Sequence, residues 1–263
     1  MKWRLLKAPA FRINEIMKSF LLALQFLTRV PVTIKGDVSE KDLNRSLAYF
    51  PLVGGIIGLV ISSAVFLVDY FPLRLIAVFI LVVETIITGG LHLDGFADTC
   101  DGLYGGRTKE RALEIMRDSR VGAMGVIGLI LLLLTKYEMI CSLHPDVIWK
   151  SVVLMPVISR FIQVLVCYSY KYARPEGKGK GFIGYKGKIE LIIAAAFTLV
   201  ILIILFGVIG LAVLAAVILG VVFFTSSVNK KLDGMTGDTI GASSELAEVF
   251  CLLAVLVITK FWN

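Results

Sequence analysis

Three aspartates follow one another at helical spacing in a stretch rich in glycine. Asp94, Asp98 and Asp101 stand at positions i, i+4 and i+7, which on an α-helix brings all three side chains to one face. Their like charges repel each other, so we expect a divalent cation to stabilise the arrangement. Carboxylate oxygens without a nearby pair of His or Cys favour Mg²⁺, with Mn²⁺ as the alternative. These three residues are the candidate catalytic and metal-binding groups.

A second acidic group precedes the last apolar segment. Asp238 lies in a Gly-Asp-Thr sequence, and Glu245 and Glu248 follow it at helical spacing. Acids in the first turn of a helix also complement its dipole, so a capping role is the alternative for Glu245 and Glu248. Two acidic groups on one face of the protein predict a site between helices, with Asp238 and Glu245 as further metal ligands. Metal ions in such a site assist an in-line displacement at phosphorus.

Basic residues near these acids suit the binding of phosphate. Arg117 and Arg120 flank Asp118 just before an apolar segment, and guanidinium groups bind phosphate in a bidentate geometry. Membrane anchoring is the alternative for both arginines, and Asp118 is either a metal ligand or their partner. The loop 171–188, rich in Gly and Lys, is either a clamp over an anionic substrate or a contact for lipid headgroups. The candidate substrate-binding residues are His92, Arg117, Asp118, Arg120, Lys178 and Lys180.

The composition places these groups in a membrane. Of the 263 residues 57% are hydrophobic and 18% charged, and the mean hydropathy is +0.87. A soluble domain carries about 25% charged residues, so disordered chains and most soluble enzymes are excluded. The sequence predicts an all-α, polytopic membrane bundle that forms a single domain over residues 1–263. We expect about seven transmembrane helices at 47–70, 73–91, 121–142, 147–169, 189–207, 208–228 and 245–262.

Long polar segments alternate with very short connections, so the long ones fall on one face of the membrane. They are the N-terminal segment 1–46 and the loops 92–120, 171–188 and 229–244, which together hold 22 of the 27 Lys and Arg residues. The positive-inside rule places them in the cytoplasm. We therefore predict a multi-pass protein of the cytoplasmic membrane, embedded in the lipid bilayer, with its active site facing the cytoplasm. The net charge of +7 reflects this orientation, and no nucleic-acid partner is expected.

The N-terminal segment is basic and then briefly apolar. We interpret residues 2–19 as an uncleaved amphipathic helix on the membrane surface, because no small-residue cleavage site follows. Residues 20–33 are too short to span comfortably and suit a re-entrant segment. Glu84 and Arg160 lie inside predicted spans, where a charge is costly unless it is paired or faces a cavity. Pairing of these two residues with one another is one way to lower that cost.

Two sets of glycines predict close packing of helices. Gly54 and Gly58 are four residues apart in the first span, and Gly122, Gly125 and Gly128 open the third. Small residues at such spacing let the backbones of membrane helices approach each other.

Three of these stretches resemble, in the same order, one enzyme family. Residues 88–103 read TGGLHLDGFADTCDGL, residues 114–125 read EIMRDSRVGAMG and residues 234–245 read GMTGDTIGASSE. Together with FLTRVPV at 26–32 and YFPLVGGIIG at 49–58, they are similar to the adenosylcobinamide-GDP ribazoletransferases, also called cobalamin synthases. The resemblance covers nearly the whole chain.

The resemblance implies the last assembly step of the cobalamin nucleotide loop. In this family the cobinamide phosphate passes from adenosylcobinamide-GDP to α-ribazole or α-ribazole 5′-phosphate. GMP leaves, and adenosylcobalamin or its 5′-phosphate forms. The family is membrane-bound and Mg²⁺-dependent, which agrees with the metal-assisted phosphoryl transfer inferred from the residues. A homo-oligomer and an assembly with other enzymes of the corrinoid pathway are both left open.

Two other functions fit the acidic stretches less well. CDP-alcohol phosphotransferases also carry aspartates at a membrane interface, but their D-x2-D-G-x2-A-R pattern differs from the spacing of Asp94 and Asp98. A cation transporter would place carboxylates near the midplane of the membrane and often shows inverted repeats. Here nearly all the acids lie at one interface, and no repeat is visible.

Overall fold

The computed structural model describes residues 15–34 and 37–262, without the side chains of Lys178, Phe261 and Trp262. Most of the predicted surface helix 2–19 therefore lies outside the described residues. The described chain is helical, and its one extended pairing is an isolated bridge. The helices are α1 Glu15–Leu27, α2 Glu40–Ser46, α3 Phe50–Ser62, α4 Leu73–Thr88, α5 Leu91–Gly105, α6 Lys109–Ile115, α7 Ala123–Ser142, α8 Pro145–Ser169, α9 Lys188–Phe206, α10 Ile209–Leu232 and α11 Gly237–Trp262.

Six helical segments of the described chain are long and apolar enough to cross a membrane, and α4 with α5 makes a seventh if this bent pair is one span. The predicted all-α, multi-pass architecture is confirmed. The first segment is longer than predicted, because α2, α3 and two 3₁₀ turns form one helical run from Glu40 to Leu67. The last one begins at Gly237, well before the predicted start at 245. Asp238 therefore lies in the first turn of α11.

The chain bends sharply between α4 and α5. The two helices meet at 92°, and Gly89 and Gly90 at the bend have φ angles of 66° and 67°. Residues with a Cβ rarely adopt this left-handed conformation, whereas glycine does so readily. The two glycines thus end the apolar helix α4 and turn α5, which carries the three aspartates, across the end of the bundle.

Helix α8 lies at the centre of the bundle. Its residues from Ser151 to Val164 are all buried, and it packs against α3, α9 and α11. A Cβ at Gly58 of α3 would lie only 2.6 Å from the carbonyl oxygen of Val153. Glycine is therefore required for the approach of α3 and α8, which confirms the close packing predicted from this motif.

The glycines that open α7 allow a similar approach to α5. A Cβ at Gly125 would lie 3.0 Å from the carbonyl oxygen of Ala97, and one at Gly128 would lie 2.7 Å from Cys100 Sγ. The predicted close packing of this glycine set is likewise confirmed.

Contacts join the three polar loops 92–120, 171–188 and 229–244 at one end of the bundle. Lys109 Nζ lies 3.4 Å from Asp233 Oδ2. The Ala173 N–H donates to the carbonyl oxygen of Met235, and the Met235 N–H donates to that of Lys171, both at 2.9 Å. These bonds hold the loop after α8 against the start of α11, next to the acidic face of α5.

Candidate active site

The acidic residues meet where α5 crosses the first turn of α11. A Cβ at Gly95 would lie 2.9 Å from the Cα of Asp238, and one at Gly241 would lie 3.3 Å from the Cα of His92. Such short separations mean that the two backbones touch, and at residue 95 only glycine permits this contact. Asp94 precedes Gly95 directly and Asp98 follows one turn later, so the contact brings both carboxylates towards Asp238.

Asp98 lies in the middle of a negatively charged group. The carboxylates of Asp94, Asp101 and Asp238 are close enough to repel its charge, and Arg174 offsets part of this repulsion. Asp94 is exposed and Asp98 half-buried. Within the described residues, neither side chain makes a hydrogen bond or an ion pair. Both carboxylates therefore keep their oxygen atoms available for a ligand.

Arg174 is a member of this site that the sequence analysis did not single out. Its Nη2 donates to Asp238 Oδ2 at 2.9 Å, and its side chain is 11% exposed. Its Nε is buried without a partner among the described residues. A half-satisfied guanidinium beside three carboxylates is suited to a phosphate oxygen as a second partner. Its position at the start of the Gly- and Lys-rich loop was the one signal in the sequence.

The donor set fits a magnesium ion that is shared with a phosphate substrate. Among the described residues, no three His, Cys, Asp or Glu side chains are grouped to hold a metal ion by themselves. Mg²⁺ in phosphoryl-transfer enzymes usually takes one or two carboxylates and completes its shell with water and substrate phosphates. Asp94 and Asp98 lie one turn apart, and neither is paired with another described residue, so they provide such a partial shell of hard oxygen atoms.

Asp101 has a different environment from the two other aspartates of α5. It is buried, and its carboxylate accepts hydrogen bonds from the N–H groups of Gly122 at 2.7 Å and Gly125 at 2.8 Å. These groups lie at the start of α7, where helical N–H donors have no intrahelical acceptor. Asp101 therefore caps α7 from the neighbouring helix and holds α5 and α7 together.

Glu245 lies two turns beyond Asp238 on α11, and the structure does not bring the two together. Lys136 Nζ lies 2.6 Å from Glu245 Oε2 and 3.9 Å from Glu84 Oε2. The same ammonium group also contacts Glu248, which in turn pairs with Arg160. We call this group the buried charge cluster. Its members are Glu84, Lys136, Arg160, Glu245 and Glu248, all buried in the bundle.

Within the cluster, Lys136 and Glu248 link Glu84 to Arg160. In the described part of the chain, Glu84 and Arg160 form no ion pair with each other. Lys136 was not among the residues predicted from the sequence, although a lone lysine in the apolar segment 121–142 indicates a need for acidic partners. A chain of hydrogen bonds connects the neighbourhood of the cluster to the acidic site. Gln163 Nε2 lies 2.8 Å from Ser244 Oγ and 2.9 Å from His92 Nε2.

A cavity of about 170 Å³ opens between the acidic residues and α8. His92, Asp94 and Asp238 line it together, so the structure joins the predicted substrate-binding histidine to two of the predicted metal ligands. His92 itself is buried, and its Nδ1 has no partner among the described residues. This nitrogen is therefore the one open hydrogen-bonding position of the His92 side chain.

The Gly- and Lys-rich loop covers this cavity. Phe182 of the loop is buried, and its ring centre lies 4.8 Å from that of Phe26 and 6.0 Å from that of Phe50. The aromatic contacts fix the middle of the loop above α1 and α3. Lys180 is exposed, and the side chain of Lys178 lies outside the described residues. The loop thus carries its charges next to the site, as both a substrate clamp and a headgroup contact require.

Arg117, Asp118 and Arg120 occupy the exposed turn between α6 and α7. Arg120 Nη2 lies 2.7 Å from Asp118 Oδ2, and the backbone N–H of Arg120 donates to Asp118 Oδ1 at 3.0 Å. These hydrogen bonds lower the pKa of Asp118 to about 2, so its carboxylate stays charged and paired with Arg120. Arg117 makes no ion pair with any described residue. The turn leads into Gly122, whose backbone N–H donates to Asp101 of α5.

The fold and the site define a multi-pass helical membrane protein with an acidic cluster at one end of its bundle, suited to metal-assisted chemistry on an anionic substrate. The chain belongs to the cobalamin-5-phosphate synthase family, whose sequence model matches residues 19–256. This match confirms the family resemblance found in the sequence motifs.

Individual relatives agree over nearly their whole length. The chain is 39% identical to a protein of Geotalea daltonii, with 92% of this chain and 98% of the relative aligned. It is 39% identical to a protein of Clostridium novyi, with 91% of this chain and 97% of the relative aligned. It is 41% identical to a protein of Alkaliphilus metalliredigens, with 94% of this chain and 98% of the relative aligned. All three relatives are named adenosylcobinamide-GDP ribazoletransferase. No solved structure matches the chain.

Proposed function

We propose that this protein transfers the cobinamide phosphate of adenosylcobinamide-GDP to α-ribazole or its 5′-phosphate, with release of GMP and formation of adenosylcobalamin or its 5′-phosphate. The observation that carries the proposal is the family match over residues 19–256, supported by relatives of this name at 39–41% identity. The meeting of Asp94 and Asp98 with Asp238 beside a cavity is the physical feature that such a reaction needs.

The reaction is an in-line displacement at phosphorus. A ribose hydroxyl of the acceptor attacks the phosphorus atom linked to the corrinoid, and the bond from this phosphorus to the GMP oxygen breaks. The hydroxyl proton passes to a carboxylate of the acidic site, acting as general base. Arg174 and Arg117 hold phosphate oxygens as negative charge moves towards the leaving GMP.

Mg²⁺ is the proposed cofactor, held by Asp94 and Asp98 on α5 together with the substrate pyrophosphate, with Asp238 beside them. When bound, it neutralises the pyrophosphate and stabilises the departing GMP. In this proposal Asp101 supports the site by capping α7, and Glu245 supports it from the buried charge cluster. Neither residue needs to leave its present partners for the reaction to proceed.

We propose that the active site faces the cytoplasm from the cytoplasmic membrane. The loops 92–120, 171–188 and 229–244 contact one another beside the site and hold 13 of the 27 Lys and Arg residues. The positive-inside rule assigns such basic loops to the cytoplasm. Thiol labelling of a Ser119→Cys variant in right-side-out and inverted vesicles tests this orientation, because Ser119 is exposed. Labelling confined to inverted vesicles is expected, and labelling confined to right-side-out vesicles would reverse the assignment.

The activity is tested with purified protein in liposomes, supplied with adenosylcobinamide-GDP, α-ribazole and MgCl₂. We expect adenosylcobalamin and GMP in equal amounts, and no turnover after chelation of the metal. Asp98→Asn should lower kcat at least a hundredfold. Asp233→Asn serves as the matched control, because Asp233 is exposed on the same side and has a left-handed φ of 52° that Asn tolerates. Absence of GMP and of either corrinoid product from the wild-type protein, with α-ribazole and with its 5′-phosphate as the acceptor, would refute the proposed function.

A further inference from the structure

A second, larger cavity lies on the α4 side of Asp94. It has a volume of about 550 Å³, and its wall includes Arg29, the α4–α5 bend and Asp94. Ligand sites for drug-sized molecules have about 300–1,000 Å³, so this cavity is large enough for a nucleotide. Asp94 and Leu91 also line the smaller cavity beside Asp238. The exposed carboxylate of Asp94 thus stands where two cavities meet, as a reaction between two substrates requires.

The segment that carries Arg29 is fixed against the bend. The backbone N–H of Arg29 donates to the carbonyl oxygen of Ile87 at 2.7 Å, and Gln25 Nε2 donates to the carbonyl oxygen of Val32 at 3.0 Å. A Cβ at Gly89 would lie 2.5 Å from Arg29 Cδ. Glycine at this position therefore provides space for the stem of Arg29 and the positive φ of the bend at the same time.

The charge of Arg29 has no partner in the described part of the chain. Within the described residues its guanidinium makes no ion pair and no side-chain hydrogen bond, although it lines the same cavity as the carboxylate of Asp94. An unpaired guanidinium at the wall of a cavity favours an anion with two oxygen atoms in one plane, such as a phosphate. Phe26, Leu91 and Leu129 give the same cavity an apolar wall, which suits an uncharged aromatic ring.

We propose that this cavity binds the acceptor as a nucleoside monophosphate. Its phosphate lies on Arg29, its aromatic base lies against the apolar wall, and its ribose hydroxyl points to Asp94. This inference rests on the proposed function and deepens it, because it assigns recognition of the phosphate of α-ribazole 5′-phosphate to Arg29. The donor pyrophosphate occupies the side of Asp238 and Arg174.

The test compares the two acceptors, which differ only in the phosphate. Steady-state kinetics are measured at saturating donor for the wild-type protein, Arg29→Gln and Arg29→Lys. We expect Arg29→Gln to raise the KM for α-ribazole 5′-phosphate at least tenfold and to leave the KM for α-ribazole and for adenosylcobinamide-GDP within twofold. Arg29→Lys should recover part of the loss, because it keeps the charge without the planar fork. Arg107 is an exposed arginine after α5. Arg107→Gln is therefore the matched control and should leave the KM for both acceptors unchanged.

Calorimetric titration of α-ribazole 5′-phosphate into the wild-type and variant proteins gives the same comparison without turnover. Weaker binding to Arg29→Gln supports the inference. Three results would overturn the inference, even where wild-type turnover upholds the proposed function. The KM values for both acceptors could rise equally in Arg29→Gln, or only the KM for the donor could change. The third result is that neither the KM for α-ribazole 5′-phosphate nor its calorimetric affinity changes. Wild-type protein that binds the nucleotide through Arg29 but forms neither adenosylcobalamin nor its 5′-phosphate would count against the proposed function alone. The thermal stability of each variant shows whether it is folded.

Discussion

Gly95 of α5 touches the backbone of Asp238 on α11, at a distance that would place a Cβ on Gly95 only 2.9 Å from the Asp238 Cα. The two helices come from the middle and the end of the chain, so this one contact fixes how far Asp238 lies from Asp94 and Asp98. The acidic site is therefore assembled by tertiary packing of two helices and depends on the absence of a side chain at residue 95.

We expect Gly95→Ala to lower kcat/KM about a hundredfold, because α11 must shift and a displacement of about 1 Å at a catalytic site has an effect of this size. Gly55→Ala is the control, since a Cβ there would meet Ile201 Cδ1 at an ordinary 3.5 Å. Both variants are assayed for adenosylcobalamin formation in liposomes. Full activity of Gly95→Ala would show that the spacing of α5 and α11 does not limit the reaction.

Asp101→Ala should destabilise the protein by about 1–3 kcal/mol, because it leaves the buried N–H groups of Gly122 and Gly125 without their acceptor. Thermal unfolding in detergent measures this loss, which we expect to be independent of Mg²⁺. Asp94→Ala is the control, since its exposed carboxylate makes no hydrogen bond with a described residue. The capping role is wrong if Asp101→Ala unfolds at the wild-type temperature.

The sequence predicted the bundle well because long apolar segments can be recognised without knowledge of their neighbours. It also predicted that Asp94 and Asp98 lie on one face of a helix, since residues four positions apart share a helix face whatever surrounds them. Asp101 shares that face as well, but its contact with the N-terminus of α7 is a tertiary one. Spacing along one helix carries no information about where the next helix begins.

The position of Glu245 shows the same limit. Hydrophobicity placed the start of the last span at 245, whereas α11 begins at Gly237 with a polar first turn. Asp238 and Glu245 are consequently separated by about 10 Å along one helix axis. Glu245 instead finds Lys136 of α7, a residue more than a hundred positions away in the sequence, and pairing over such a distance has no local signature.

Lys136→Met should destabilise the protein by about 3–5 kcal/mol, because it leaves three buried carboxylates with Arg160 as the one cation of the cluster. The double variant Lys136→Met/Glu245→Gln should regain part of this loss, since it removes one uncompensated charge. Lys230→Met, at an exposed lysine near the end of α10, is the control. Thermal unfolding and the yield of folded protein provide the measurement. A double variant that is no more stable than the single one would show that charge pairing is not what Lys136 contributes.

Arg174→Gln should separate metal binding from catalysis. Loss of the guanidinium frees Asp238 and leaves the negative charge around Asp98 without its counter-charge, so Mg²⁺ should bind more tightly. The same loss removes a donor for the phosphate oxygens, so kcat should fall about tenfold or more. We therefore expect half-maximal activity at a several-fold lower Mg²⁺ concentration, together with slower turnover.

Lys171→Gln is the control for this prediction, because it removes a charge from the same loop but from an exposed pair with Asp233. Titration of activity with Mg²⁺, at saturating concentrations of both substrates, gives two parameters for each variant: kcat and the Mg²⁺ concentration for half-maximal activity. A higher Mg²⁺ requirement in Arg174→Gln would mean that Arg174 supports the metal through the substrate phosphates. Unchanged values of both parameters would mean that the bond between Arg174 and Asp238 only anchors the loop.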